Sequence, residues 1–243
     1  MSVLRKLMKR SQTIVDFNQA RRDAWVASRA RSLQAASLVL DVGAGTGRYR
    51  SLFTHCTYRA HDFAQYKGTA EGLLADQWPY APLDYVADAT AIPVADSSFD
   101  AVLCTEVLEH VPEPIAVIRE ISRTLRPGGR VFITAPLGSG LHQQPYHFYG
   151  GYTPHFYRKF LSEAGFRIIS IEPNGGFFRH LLQEVHRAGV IIVRQPGRRR
   201  YYPFKVVVAV LFCVLAPIWL ERLDKRLPIE EFTVGYHVEA VRE

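Results

Sequence analysis

The chain has 243 residues, 48% of them hydrophobic, which is enough for one sizeable α/β core with appendages and excludes a disordered or fibrous protein. Its formal charge is +7, and the three cysteines, Cys56, Cys104 and Cys213, form neither a disulfide framework nor a metal-binding spacing. A reducing cytoplasm is therefore the expected compartment, and the N-terminus lacks the continuous apolar core of a secretory signal.

Residues 1–35 carry eight Lys or Arg against two Asp and are expected to form a basic helical segment ahead of a main domain over 36–243. Ser37 to Val42 is a short apolar run containing Asp41 and reads as strand one. Glycines at 43, 45 and 47 follow, and then a helix start. They allow positive φ and close approach of a ligand. A dinucleotide loop needs G-x-G-x-x-G, whereas the spacing here is G-x-G-x-G. The charge of Asp41 would also oppose a pyrophosphate and favour a cation or an amine. Tyr58–Asp62 reads as strand two and Asp84–Asp88 as strand three, each ending in an acid. Phe99–Cys104 reads as strand four, followed by Glu106-Val107-Leu108-Glu109-His110-Val111. Pro112 and Pro114 then open an amphipathic helix with Ile115, Ile118, Ile121 and Leu125 on one face. Pro127-Gly128-Gly129 stops it, and Arg130–Ala135 is strand five.

The run Val39–Gly47 closely resembles the first motif of class I S-adenosylmethionine (SAM)-dependent methyltransferases. The succession S-F-D…E-H-V…L-R-P-G-G resembles the small-molecule branch of that family, methyltransferase type 11. Together the resemblance covers about residues 37–136. It implies a Rossmann-like α/β fold with a seven-stranded mixed sheet of order 3-2-1-4-5-7-6, strand seven antiparallel, and SAM as cofactor. By the same resemblance, Asp41, Gly43, Ala44, Gly45, Thr46 and Gly47 pass under the methionine part of SAM. Asp62, with Phe63, meets the ribose hydroxyls, roughly 20 residues beyond the start of the loop. Asp88 and Ala89 meet the adenine, and Thr105 completes the cofactor-binding set.

After strand five, residues 137–152 form a loop crowded with Gly, His and Tyr. Thr153-Pro154 is a helix start, with Thr as N-cap and Pro at the first position, and Gly165 is its stop. Phe166–Ile171 reads as strand six. The alternation of Val234, Tyr236, Val238 and Ala240 marks Thr233–Val241 as strand seven. Between them lies an insertion, 174–230. Arg194, Arg198, Arg199, Arg200 and Lys205 occur there within twelve residues without an acid. Val206–Leu220 then has no charge. A 15-residue helix is about 22 Å long, short of a hydrocarbon core of about 30 Å. A single crossing would also strand residues 221–243 away from their sheet. The basic run, Trp219 and Tyr201-Tyr202 suit attachment to a membrane surface through 198–220. An oligomer contact or plain core burial are the other readings. The charge sits on the appendages and the remaining core is mildly acidic, which disfavours nucleic acid as a partner.

Methyl transfer to oxygen calls for alignment of donor and acceptor and for removal of a proton. His110, His147 and His142 are the candidate catalytic residues, histidine being the side chain that titrates near neutrality. Tyr146, Tyr149 and Tyr152 are expected as pocket walls. The spacing Glu106-x-x-Glu109-His110 resembles a metal site in methyltransferases of small-RNA 3′-terminal ribose, and a similar run occurs in O-methyltransferases of ubiquinone biosynthesis. The same letters are common in relatives without a metal, and no metal ligands are assigned. The position after strand four is Thr105-Glu106-Val107, not the N/D-P-P-Y-type motif of nucleobase-amine methylation. The 145–154 loop and the insertion resemble bacterial methyltransferases held to act on glycans or lipid-linked sugars. The expected activity is thus O-directed methyl transfer to a small-molecule, glycan or lipid-linked acceptor. An RNA ribose methyltransferase and a non-catalytic SAM-binding adaptor are the alternatives.

Overall fold

The computed structural model describes residues 10–68, 78–195 and 202–243. It divides into two compact units, residues 22–172 with 235–243 and residues 1–21 with 173–234.

The first unit is built on a seven-stranded sheet of order β3-β2-β1-β4-β5-β7-β6. Its strands are β1 (Leu38–Val42), β2 (Thr57–Asp62), β3 (Tyr85–Val86), β4 (Phe99–Thr105), β5 (Leu125–Pro136), β6 (Phe166–Pro173) and β7 (Gly235–Arg242). Strands β1 to β5 pair parallel and β7 runs antiparallel to β5, the topology expected from sequence. The central strands are apolar on both faces, as parallel strands covered on two sides must be. Side chains alternate between the faces. Val39, Ala101, Leu103 and Phe132 meet Trp25, Val26 and Ala30 of α1 (Phe17–Arg31). Leu40, Val42, Val102, Cys104 and Ile133 face the other way. There they meet Val117, Ile118 and Ile121 of α2 (Pro114–Thr124) and Tyr157 and Leu161 of α3 (Pro154–Glu163). Thr153 caps α3, its hydroxyl accepting from the Phe156 N–H at 3.4 Å. Ile115 of α2 is only half-buried and Val117 takes its place in the core.

Two local expectations shift. The glycine loop leads only to a 3-10 turn, Arg50–Phe53, because the stretch between Val42 and Thr57 is too short for the loop and a full crossover helix. Strand β5 begins before Pro127-Gly128-Gly129. Phe99 pairs with Leu125 across an irregularity in the ladder, and the regular register resumes at Ala101 with Arg130.

The basic face expected for the N-terminal segment is partly turned inward. Arg29 pairs with Glu172 at 2.6 Å and Glu239 at 2.7 Å, and Arg130 reaches the same Glu239 at 2.5 Å. The expected basic residues before position 10 lie outside the described residues.

The second unit is a helical hairpin. One arm is α4 (Phe177–Arg194). The other is a continuous helix of 25 residues, Tyr202–Arg226, made of α5 (Tyr202–Val210), a π-helical turn (Leu211–Leu215) and α6 (Ala216–Arg226). Pro217 supplies no N–H to the carbonyl four residues back, at Cys213, and helices widen at such places. The Ser11 hydroxyl donates to that carbonyl instead. The arms meet closely at Gly189, where a Cβ would stand 2.7 Å from Cys213 Sγ and 2.8 Å from Phe212 Cβ. At the base of the hairpin Arg179 pairs with Asp224 at 3.1 Å, above a core of Phe17, Leu182, Leu220 and Val234. Phe204, Val207, Leu211, Leu215 and Trp219 recur three or four residues apart on one side of the long helix. They are exposed by 58, 53, 46, 47 and 59%.

Candidate active site

Site residues gather at the C-terminal ends of β1, β2 and β4, where the strand order reverses direction and α/β sheets open a crevice. Gly43, Gly45 and Gly47 all have positive φ, +73°, +51° and +71°. At Gly43 a Cβ would stand 2.3 Å from Val107 Cγ2, so the loop lies directly against the segment after β4. The Gly43 and Ala44 N–H groups both donate to the His61 carbonyl at 2.9 Å. Asp62 ties the loop to β2: one carboxylate oxygen accepts from Gly45 N–H at 2.9 Å and the other from Ala64 N–H at 3.0 Å. Thr46 is exposed.

Asp41 is buried, with Oδ2 bonded to the Tyr58 hydroxyl and Oδ1 buried without a partner. Burial pushes its carboxyl up to about 7, with Asp62's charge adding to the effect and the Tyr58 hydroxyl opposing it. Asp88 is exposed and its Oδ1 caps the following turn, accepting from the Thr90 N–H and hydroxyl at 2.8 Å each. Ala89 beside it is buried, and Thr105 closes β4.

Below the loop, a 3-10 turn (Leu108–His110) presents the acid and imidazole groups. The His110 Nδ1 is 2.6 Å from the Tyr146 carbonyl, and the Tyr146 ring stands edge-on to Phe63 with centroids 4.9 Å apart. The Glu109 carbonyl accepts from the Phe148 and Tyr149 N–H groups at 2.9 and 3.3 Å, which folds loop 137–152 over the turn. The fold-back brings three rings together. His110 and His142 are 4.8 Å apart by centroid, His142 and His147 4.5 Å, and His110 and His147 5.8 Å. Burial lowers the His110 imidazole to about 4, the neighbouring histidines adding to the effect, so it is neutral at pH 7. Burial and His142 lower His147 as well. The Tyr149 hydroxyl donates to the Pro112 carbonyl at 2.9 Å and the Tyr152 hydroxyl to that of Leu108 at 2.6 Å. These tyrosines are braces.

The sequence reading did not assign Arg22 or Trp78. Arg22, 12% exposed, pairs with Glu106 at 2.5 Å, and Thr134 Oγ1 donates to the other Glu106 oxygen at 2.9 Å. Burial alone would raise the Glu106 carboxyl, but Arg22 and Thr134 hold it below the ordinary range. Glu109 has no such help, and burial together with the Glu106 charge pushes it well up. Trp78 stands 3.0 Å from where a Gly45 Cβ would lie and packs edge-on against Tyr66. An arginine among other basic residues, and a tryptophan beyond a long connection, carry no local signal of either role.

Residues 40–133 match the family described as "Methyltransferase domain". A ubiquinone biosynthesis O-methyltransferase of Xanthomonas oryzae is 35% identical over 114 residues, covering 43% of this chain and 45% of the relative. A sarcosine/dimethylglycine N-methyltransferase of Halorhodospira halochloris is 31% identical over 160 residues, covering 60% and 57%. The chain thus spans about half the length of the curated relatives it matches. Among solved structures, a sarcosine dimethylglycine methyltransferase of Galdieria sulphuraria shares the fold at TM-score 0.54 and 20% identity, covering 92% of this chain and 85% of that one. Sheet order and glycine loop agree with the family match, and residues 40–133 carry a methyltransferase domain.

Proposed function

We propose that this protein transfers a methyl group from SAM to an oxygen of a small-molecule, glycan or lipid-linked acceptor, at the cytoplasmic face of a membrane. The observation that carries the reading is the juxtaposition of a left-handed glycine loop with a cluster of three histidines, joined through Val107 and Tyr146. The residues fit the cofactor. Asp41 offers a buried carboxylate oxygen without a partner to an amine or sulfonium. Gly43 lets the loop backbone pack directly against Val107, where any Cβ would collide. Asp62 is held in place by two backbone N–H groups and has lone pairs left for ribose hydroxyls. Asp88 keeps Oδ2 for an amino group.

SAM supplies an activated methyl group when bound. Asp41, the glycine loop and Asp62 would hold it for transfer of that methyl to the acceptor oxygen, the sulfur departing as a neutral thioether. The protein holds the groups in line and takes the hydroxyl proton. The two curated relatives divide between oxygen and nitrogen acceptors. A neutral amine attacks with its own lone pair, whereas a hydroxyl needs a base, and the neutral imidazole of His147 supplies one.

The membrane part rests on the hairpin. Only 28% of the apolar window of the long helix is buried, and its exposed stripe contains no charge. β6 before the hairpin and β7 after it share one sheet, so both ends of the segment belong on one side of a bilayer, which supports attachment from that side over a single crossing, although the helix of 25 residues is long enough to cross. Lys205 Nζ donates to the Val193 carbonyl at 3.1 Å and so closes the hairpin tip. Arg198, Arg199 and Arg200 lie outside the described residues.

The test is cosedimentation of the full chain with anionic vesicles, alongside SAM binding by calorimetry and methyl transfer to membrane lipid extracts. Wild type is expected to bind SAM and sediment, and L211E/L215E to bind SAM equally but stay in solution. Absence of SAM binding would end the methyltransferase reading. Equal partition of the two proteins would end the membrane reading.

A further inference from the structure

We propose that Glu109, His110 and His142 form a binding site for a divalent transition-metal ion. The proposal deepens the reading above by naming what orients the acceptor oxygen. One ligand atom from each of the three side chains lies within 4.8 Å of the others, and His110 Nε2 is 3.8 Å from Glu109 Oε1.

Two further observations point to a ligand. The first concerns tautomers. His110 Nδ1 faces the Tyr146 carbonyl at 2.6 Å and His142 Nδ1 faces the Gly140 carbonyl at 2.9 Å. A carbonyl can only accept, so each Nδ1 carries the proton and each Nε2 keeps its lone pair. Metal-binding histidines are fixed by outer hydrogen bonds in the same way. The second concerns Glu109. Its side chain is 1% exposed, and Oε2 is buried without a hydrogen-bond partner. A buried carboxylate oxygen left bare is costly unless something cationic meets it.

The set differs from the one suggested by spacing. Glu106, the first acid of the E-x-x-E-H run, is occupied by Arg22 and Thr134. His142, 32 residues beyond His110, takes the vacant role because loop 137–152 folds back onto the Glu109 carbonyl. Two imidazoles and one carboxylate suit Mn²⁺, Zn²⁺ or their neighbours better than Mg²⁺, which prefers oxygen and retained water. Three protein ligands leave coordination positions open. An acceptor hydroxyl bound there would lose its proton more readily. His147 lies outside the ligand set and is placed to take that proton.

The experiment is titration of the metal-stripped full chain with Mn²⁺, counting free ion by EPR, for wild type, Glu109→Gln and His142→Gln. His142 is on a loop, so its variant tests the site without disturbing the core. One Mn²⁺ per chain is expected in wild type, bound at least tenfold tighter than in either variant. No saturable binding in wild type, or equal binding by all three, would overturn the site. SAM binding by the same wild-type sample keeps the two ideas apart. Its absence counts against the methyltransferase reading, while the Mn²⁺ titration still decides the cation site.

Discussion

Asp41 is the residue whose charge state the fold controls most directly. Its carboxyl titrates near 7 because it is buried, and it lies at the foot of the glycine loop. A cationic ligand binds best to the ionised form. SAM affinity should therefore rise as pH increases from 6 to 8, with proton release on binding, and Asp41→Asn should flatten that dependence while weakening binding about tenfold. Calorimetry in two buffers of different ionisation heat measures both. The linkage for stability has the opposite sign. The folded form holds its proton more tightly than the unfolded one, so the free energy of unfolding falls as pH rises from about 4 through 7. At this scale the glycine turn and the acid that ends β2 were legible as local structure, because a turn that demands positive φ and an acid at a strand end leave marks in local sequence. The Arg22–Glu106 pair and the arrival of His142 beside Glu109 were not. Both depend on segments far apart in the chain, and an arginine in a basic stretch looks the same whether it faces solvent or a half-buried carboxylate.

Among the elements, the hairpin depends on one small residue. Gly189 of α4 costs helix propensity, about 1 kcal/mol relative to alanine, yet it lets the π-helical turn come within contact. Gly189→Leu should force the arms apart. The expected result is earlier unfolding of the hairpin in hydrogen exchange at residues 182–193 and 208–220, with protection in β1 and β4 unchanged. Uniform loss of protection across both regions would contradict a local role. Strands β1 and β4 were readable because each is a short, mostly apolar run between turn residues. The π-helical turn was not. Pro217 announces a break in hydrogen bonding, but the Ser11 hydroxyl that meets the freed carbonyl lies more than 200 residues away.

For the whole molecule, the proposed membrane attachment predicts a two-part attraction to lipid. Basic side chains near an anionic surface contribute about 1 kcal/mol each and are screened by salt. The apolar stripe of Phe204, Val207, Leu211, Leu215 and Trp219 is not. Vesicle affinity should therefore fall about tenfold or more between low and high salt without vanishing, whereas L211E/L215E should lose binding at both. A complete loss in salt for wild type would assign the attraction to charge alone.

Strand β7 sits between β5 and β6 but follows the hairpin in the chain. During synthesis the slot beside β5 must stay open until the whole hairpin has left the ribosome. Val238 and Ala240, fully buried in the finished sheet, are then the last pieces of its centre to arrive. The greasy helix thus emerges before the catalytic sheet can close. If the hairpin binds lipid as proposed, a nascent chain reaches the bilayer before its sheet is complete, and attachment precedes folding of the site in the order of translation.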